Sequence, residues 1–189
     1  MFGGPPNTLH LGLYKAWGSS NWGIIMTGNV QVSNKHLTMG RDMVVPEELT
    51  EDTIQPFKML ASAIHNELDD AKQARIEPES TDTRKGTPRS LAVMQLSHAG
   101  RQSCNFIGGR RLNEPPLAPS PLRVTGNKGG LLSNLLFKSL FQTPKEMTLD
   151  DIDDAVQSFV RGATLAWKSG FDGVQLHVAH GCTSSIRFS

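Results

Sequence analysis

The chain has 189 residues, with 19 Lys and Arg against 18 Asp and Glu, a net charge of +1 and 38% hydrophobic residues. Near-neutrality gives no electrostatic reason to expect nucleic acid or an anionic membrane as partner, and the apolar content suits a folded soluble domain rather than a disordered tail. Cys104 and Cys182 match no zinc or CxxC spacing, MFGGPPNTLH has neither the basic nor the apolar part of a signal peptide, and no run reaches the length of a membrane span, so a cytoplasmic protein with free thiols is expected.

Asn7 or Thr8 can cap a first helix in which Leu9, Leu13 and Trp17 recur at helical spacing, ended by Gly18 and Ser19. In WGIIMTGNVQV, residues 22–32, the unalternated run Ile24, Ile25, Met26 is too short for a helix and reads as a strand covered on both faces, opening into a Gly28-Asn29 turn. Ile54, Phe57, Leu60, Ala61, Ile64 and Leu68 mark one stripe of a second helix from Thr53, with Pro56 placed in its first turn. Residues 69–89 are charged, proline-bearing and poor in large apolar side chains, and are expected as a mobile surface insertion.

LAVMQL, residues 91–96, is a second strand, closed by the polar loop SHAGRQ. Residues 105–143 carry four prolines and read as irregular except for a short helix over LLSNLLFKSLF, residues 131–141. Thr148-Leu149-Asp150-Asp151 resembles a capping box, after which Ile152, Ala155, Val156, Phe159, Val160, Ala163 and Trp167 keep helical period to Gly170. That helix runs straight into the strand VQLHVAH. Strands alternating with helices predict a parallel α/β sheet with right-handed crossovers, in one domain over residues 1–189.

Ligands in such folds collect at the C-terminal ends of strands, which here carry Thr27-Gly28-Asn29, Gln95 with His98, and His177 with His180. Gly28 leaves room for a planar ring, although a turn glycine is the plain alternative. The Gln95 amide offers donor and acceptor to a ring edge bearing C=O and N–H groups, or serves as a buried polar residue bonded to backbone. Two imidazoles can hold one substrate oxygen and stabilise negative charge growing on it. No metal is expected, since His98, His177 and His180 lack a fourth ligand. Arg101, Arg110 and Arg111 could attract a phosphate or stand in a solvated loop.

QLSHAGRQ (residues 95–102), PKEMTLDDIDDAVQSFVRGATLAWKSGFDGVQLHVAHG (residues 144–181) and NWGIIMTGNVQV closely resemble the Old Yellow Enzyme family of FMN-dependent NAD(P)H oxidoreductases. The resemblance runs through nearly all of residues 7–181 outside the insertion. It implies a (β/α)8 TIM barrel, of which this chain matches strands 2 to 4 with their helices; the family's first strand would precede Met1, and its phosphate-binding loops would follow Ser189. It further implies FMN as cofactor, NADH or NADPH as hydride donor, and an electron-poor alkene or a phenol as the small-molecule ligand. By position, Gly28 resembles the small residue beneath the flavin and Gln95 the amide on its pyrimidine edge, while His177 and His180 match the pair that binds a substrate carbonyl or nitro oxygen.

One departure bears on chemistry. The family commonly has a proton-donating tyrosine two positions after the second histidine, and this chain has Cys182. With that donor replaced, low turnover is expected of the 189-residue chain alone. The rival reading is a non-catalytic barrel fragment that binds no flavin and needs a second copy or another barrel piece to cover its open edges and interior face, or is unstable without it.

Overall fold

The computed structural model describes residues 3–20, 22–38, 41–67, 89–111, 114–124 and 130–179. Leu68, nearly all of the expected insertion, most of the GNKGG stretch, His180 and Cys182 lie outside these residues. In chain order the elements are α1 (Thr8–Gly18), β1 (Ile24–Gln31), β2 (Met43–Val44), α2 (Glu51–Ile64), β3 (Leu91–Ser97), a 3-10 turn (Gly100–Gln102), β4 (Leu117–Ala118), α3 (Leu131–Leu140), β5 (Lys145–Glu146), α4 (Leu149–Lys168) and β6 (Gly173–Leu176).

Local chemistry sets the helix starts. The Asn7 side chain accepts from the N–H groups of Leu9 and His10, and Thr148 and Asp151 exchange hydrogen bonds at the head of α4 in the expected box. Thr50 caps α2, so the helix starts two residues before Thr53 and Pro56 falls in its second turn, where its ring costs the Asp52 carbonyl a helical partner. At the other end of α4, Gly170 takes φ +81° while the Phe171 N–H reaches back to the Ala166 carbonyl, and this left-handed turn aims the chain into β6.

β1, β3 and β6 lie side by side, all parallel, in the sheet order β2-β1-β3-β6. The two-residue β2, beside the end of β1, has no counterpart in the sequence reading, and Gly4 bridges to its Met43. One face of the sheet packs on the helices. Ile25, Val30, Ala92, Met94 and Leu96 meet Phe57, Leu60 and Ile64 of α2 and Leu165 of α4, each fully buried large apolar side chain contributing about 1.5–3 kcal/mol.

The opposite face is open, which corrects the expectation of a doubly covered strand: Ile24 is 60% exposed and Met26 40%. Helical stripes differ from expectation for a related reason. In α1 the buried side chain is Tyr14, with Leu9, Leu13 and Trp17 exposed; in α4 Gly162, Leu165 and Ala166 are buried while Val156, Val160 and Trp167 face out. Each of these helices thus keeps an apolar flank that no described element covers.

Within the segment 105–143 the expected short helix forms as α3, and the segment is tied at both ends. β4 pairs with β5, and the Asn105 backbone and side chain bond to the Leu140 and Ser139 carbonyls at the end of α3. At the N-terminal edge of the sheet, Asp172 accepts from the Ala92 N–H (2.7 Å), His65 Nε2 (2.8 Å) and Arg89 Nη2 (2.9 Å), joining α2, β3 and β6. Burial raises the Asp172 carboxyl, but those three donors outweigh it and hold the group below the usual carboxylate range.

Candidate functional site at the open face of the sheet

The Gly28-Asn29 turn of the sequence reading is instead a bulge within β1. Met26 pairs with Val93 and Asn29 with Gln95, so Thr27 and Gly28 on β1 stand opposite the single Met94 on β3. Two amides that the ladder loses there are recovered by side chains. The Gly28 N–H donates to the Tyr14 hydroxyl at 2.6 Å, and the Gln95 N–H donates to Thr27 Oγ1 at 3.0 Å. Burial pushes the Tyr14 phenol up, against a smaller opposing effect of the Gly28 N–H, so it stays protonated.

The bulge has a further effect on register. Across three strands Asn29, Gln95 and Gln175 stand level, a row of carboxamides on the open face, one rung above Met26, Val93 and Gly173. Gln95 Nε2 donates to Gln175 Oε1 at 2.6 Å and faces Met26 Sδ at 3.8 Å. Below the row Ile24, Met26, Leu91 and Val93 form an apolar floor. The backbone ladder continues one step past β6, with the His177 N–H on the Leu96 carbonyl at 2.8 Å, and strand alternation sets His177 on the same face as Gln175.

Of the residues expected to share the rim, Gln95 and His177 lie on this face, and Gly28 sits in the bulge with open space around it, the nearest neighbour of an added Cβ being the Tyr14 hydroxyl at 3.8 Å. His180 and Cys182 are outside the described residues. His98 does not join Gln95. It is buried at 3% exposure, with its ring 4.4 Å from that of His36.

That histidine pair is neutral. The Leu117 N–H donates to His36 Nε2 at 3.1 Å and the Gly100 N–H to His98 Nδ1 at 3.2 Å, so each ring uses one nitrogen as acceptor. Burial, then His98, Arg110 and Lys35, hold His36 well below the usual imidazole value; burial chiefly lowers His98 to about 4. A cavity of about 390 Å³ beside them is lined by Lys35, Lys145, Asp151 and Asp154, with α4 on one side.

Of the three arginines, Arg110 is not free to hold a phosphate. Arg110 is spent on the Ser103 hydroxyl and carbonyl and on the Lys35 and Glu114 carbonyls. Cys104 is buried and burial raises its thiol, as expected of an inert cysteine. Among the described residues no three His, Cys, Asp or Glu side chains group as a metal site, and no helix is long and apolar enough to cross a membrane.

Sequence reasoning placed Asn29 at a strand end but in a turn rather than in the carboxamide row, and it missed Gln175 and His36. Gln175 could have been found by period two from His177, whereas the other two depend on the bulge and on a contact between distant loops.

Parallel strands joined by helices, with polar side chains gathered toward their C-terminal ends over an open face, define part of a (β/α)8 barrel. Solved barrels carry the same fold: morphinone reductase superposes with a TM-score of 0.66 at 21% identity, over 95% of this chain and 41% of its own, and the Old Yellow Enzyme homologue of Zymomonas mobilis with 0.65 at 21% identity, over 94% and 41%. Residues 86–183 match the model of the NADH:flavin oxidoreductase / NADH oxidase family, and the chain belongs to that family of flavin enzymes. Two curated relatives are each 34% identical: the NADH-dependent flavin oxidoreductase iliE of a Neonectria species over 182 residues, 94% of this chain, and iccE of Talaromyces variabilis over 169 residues, 89% of it. The chain spans 21% and 36% of their lengths.

Proposed function

We propose that this chain supplies the substrate-facing part of an FMN-dependent NAD(P)H oxidoreductase of the ene-reductase type, acting on an electron-poor alkene. The observation that carries the reading is the carboxamide row set over an apolar floor. Such a surface suits a flat ring system with hydrophobic faces and one edge of N–H and C=O groups, which is the chemistry of the isoalloxazine. When bound, FMN supplies hydride transfer between a nicotinamide and the alkene. NADH is favoured as donor by the names of the relatives, and morphinone reductase has been solved in complex with tetrahydroNAD.

The chain's own residues have separable roles in this reading. Gln95 meets the polar edge of the ring, and Gly28 keeps the adjoining surface free of a side chain. His177, with His180, donates N–H bonds to the carbonyl or nitro oxygen that activates the alkene, stabilising the negative charge that develops there. Cys182 stands where the family's proton donor would, and a thiol differs from a phenol in reach and acidity.

The test is a titration of the 189-residue chain with FMN, followed by flavin fluorescence quenching, and then of the loaded protein with p-hydroxybenzaldehyde. Saturable stoichiometric FMN binding is expected, and His177→Ala should weaken the phenol about tenfold or more through the lost hydrogen bond to a charged oxygen, with FMN affinity retained. Phenol affinity unchanged in the flavin-loaded variant would remove His177 from the role. A folded chain that takes up no FMN would favour the second reading, a barrel fragment completed by another polypeptide, which the exposed Val174 and Leu176 of β6 support.

A further inference from the structure

We propose that α4 pairs with the same helix of a second copy of this chain, antiparallel about a two-fold axis, along a stripe of apolar side chains turned away from the core. Leu149, Val156, Val160 and Trp167 are 80%, 50%, 54% and 76% exposed. At about 100° per residue these four fall within about 20° of one line along the helix. Gly162, Leu165 and Ala166, which pack toward the sheet, occupy a different face. A stripe so narrow, running the length of a 20-residue helix, has the form of a two-helix seam rather than of singly scattered surface hydrophobics.

The spacing of the stripe favours a second copy as its occupant. Successive members stand 7, 4 and 7 residues apart, an order that reads the same from either end. With a two-fold axis midway between Val156 and Val160, each Val156 meets Val160 of the other copy and each Leu149 meets Trp167. Charge points the same way. Asp150 and Asp153 border the N-terminal half of the seam and Lys168 its far end. Asp150 and Lys168 both lie about 100° to the same side of the seam, and in an antiparallel pair like flanks face each other. Antiparallel pairing therefore sets Asp150 of each copy beside Lys168 of the other and opposes the two helix dipoles, whereas parallel pairing would align acids with acids. Such a contact is isologous and closes at two copies, and it uses neither the open face of the sheet nor the edge of β6.

The experiment is sedimentation equilibrium of the 189-residue chain carrying Leu176→Lys, which puts a charge on the exposed edge of β6, with circular dichroism to confirm folding of each protein. A monomer to dimer equilibrium that goes no further is expected, with a dissociation constant on the order of 10 μM, since one helix pair buries less than a standard interface. Adding Val160→Lys should raise that constant about tenfold or more. Asp150→Lys and Lys168→Asp should each weaken self-association about fivefold, because either change brings like charges together twice per dimer. An equal mixture of these two variants should dimerise about as tightly as the parent, since every contact between the two positions then joins a lysine to an aspartate. Misfolding would not be repaired by mixing. A folded chain that stays monomeric at about 100 μM would overturn the proposal and leave the stripe to another polypeptide. So would a dimer indifferent to Val160→Lys, or a mixture of the charge variants no tighter than either alone.

Discussion

At the scale of single residues, the His36 and His98 pair couples stability to pH. Both rings accept a backbone N–H, and protonating either would place a donor where an acceptor is needed, beside a second imidazole and Arg110. In the unfolded chain each histidine titrates near its ordinary value, about 6.5, whereas folded His98 titrates at about 4. Between those values the unfolded state binds more protons, so stability is full above about pH 6.5 and is lost as the pH falls toward 4. The loss carried by His98 is on the order of 3 kcal/mol. Urea midpoints from pH 7 to 4.5 should fall accordingly, and His98→Asn should be less stable at pH 7 with a flatter slope. Equal slopes in the two proteins would dismiss the pair as the cause. Nothing in SHAGRQ or SNKHL singles out this contact, since the rings come from loops 62 residues apart in sequence and meet only when β1 and β3 pair. Gln95 and His177 were legible because each combines unusual chemistry with a strand end.

At the scale of elements, what can be read from sequence is what is local. The Thr148 to Asp151 box, the Gly170 stop and the short apolar runs of β1 and β3 each depend on neighbours within a few residues, and all of them form. The bulge at Gly28 and the two-residue β2 depend on pairing across the sheet and left no periodic trace. Close approach of helices is likewise hidden. An added Cβ at Gly18, the last residue of α1, would run into the Ile64 carbonyl oxygen and lie 2.7 Å from that of Ala63, at the end of α2. Backbone cannot rotate away as a side chain can. Gly18→Ala should therefore cost about 1–3 kcal/mol, as overpacking does. Gly28→Ala, with 3.8 Å to its nearest neighbour, should change stability by no more than about 0.5 kcal/mol. Thermal midpoints of the two variants compare them directly, and a Gly18→Ala protein as stable as its parent would show that α1 can shift off α2.

At the scale of the whole molecule, the described elements bury one face of the sheet and leave the other open. Ile24, Met26 and Leu91 are exposed on the interior face, Val174 and Leu176 on β6, and Leu9, Leu13, Val156, Val160 and Trp167 on the outer helices. β6 pairs on one side only among the described residues, so its other edge offers unpaired backbone groups next to apolar side chains, the arrangement that templates strand addition. The 189-residue chain should accordingly bind the dye ANS and sediment with a weight-average mass that rises with concentration. Leu176→Lys puts a charge on that edge and removes an exposed apolar side chain without touching the core. It should lower both signals. FMN binding separates the two ways in which the surface can be used: if association is what completes the site, flavin affinity should rise with protein concentration in the parent and fall in Leu176→Lys. A monodisperse monomer that leaves ANS dark and binds FMN with one concentration-independent affinity would mean that the apolar flanks are covered within the chain, and that its part of the barrel stands without a partner.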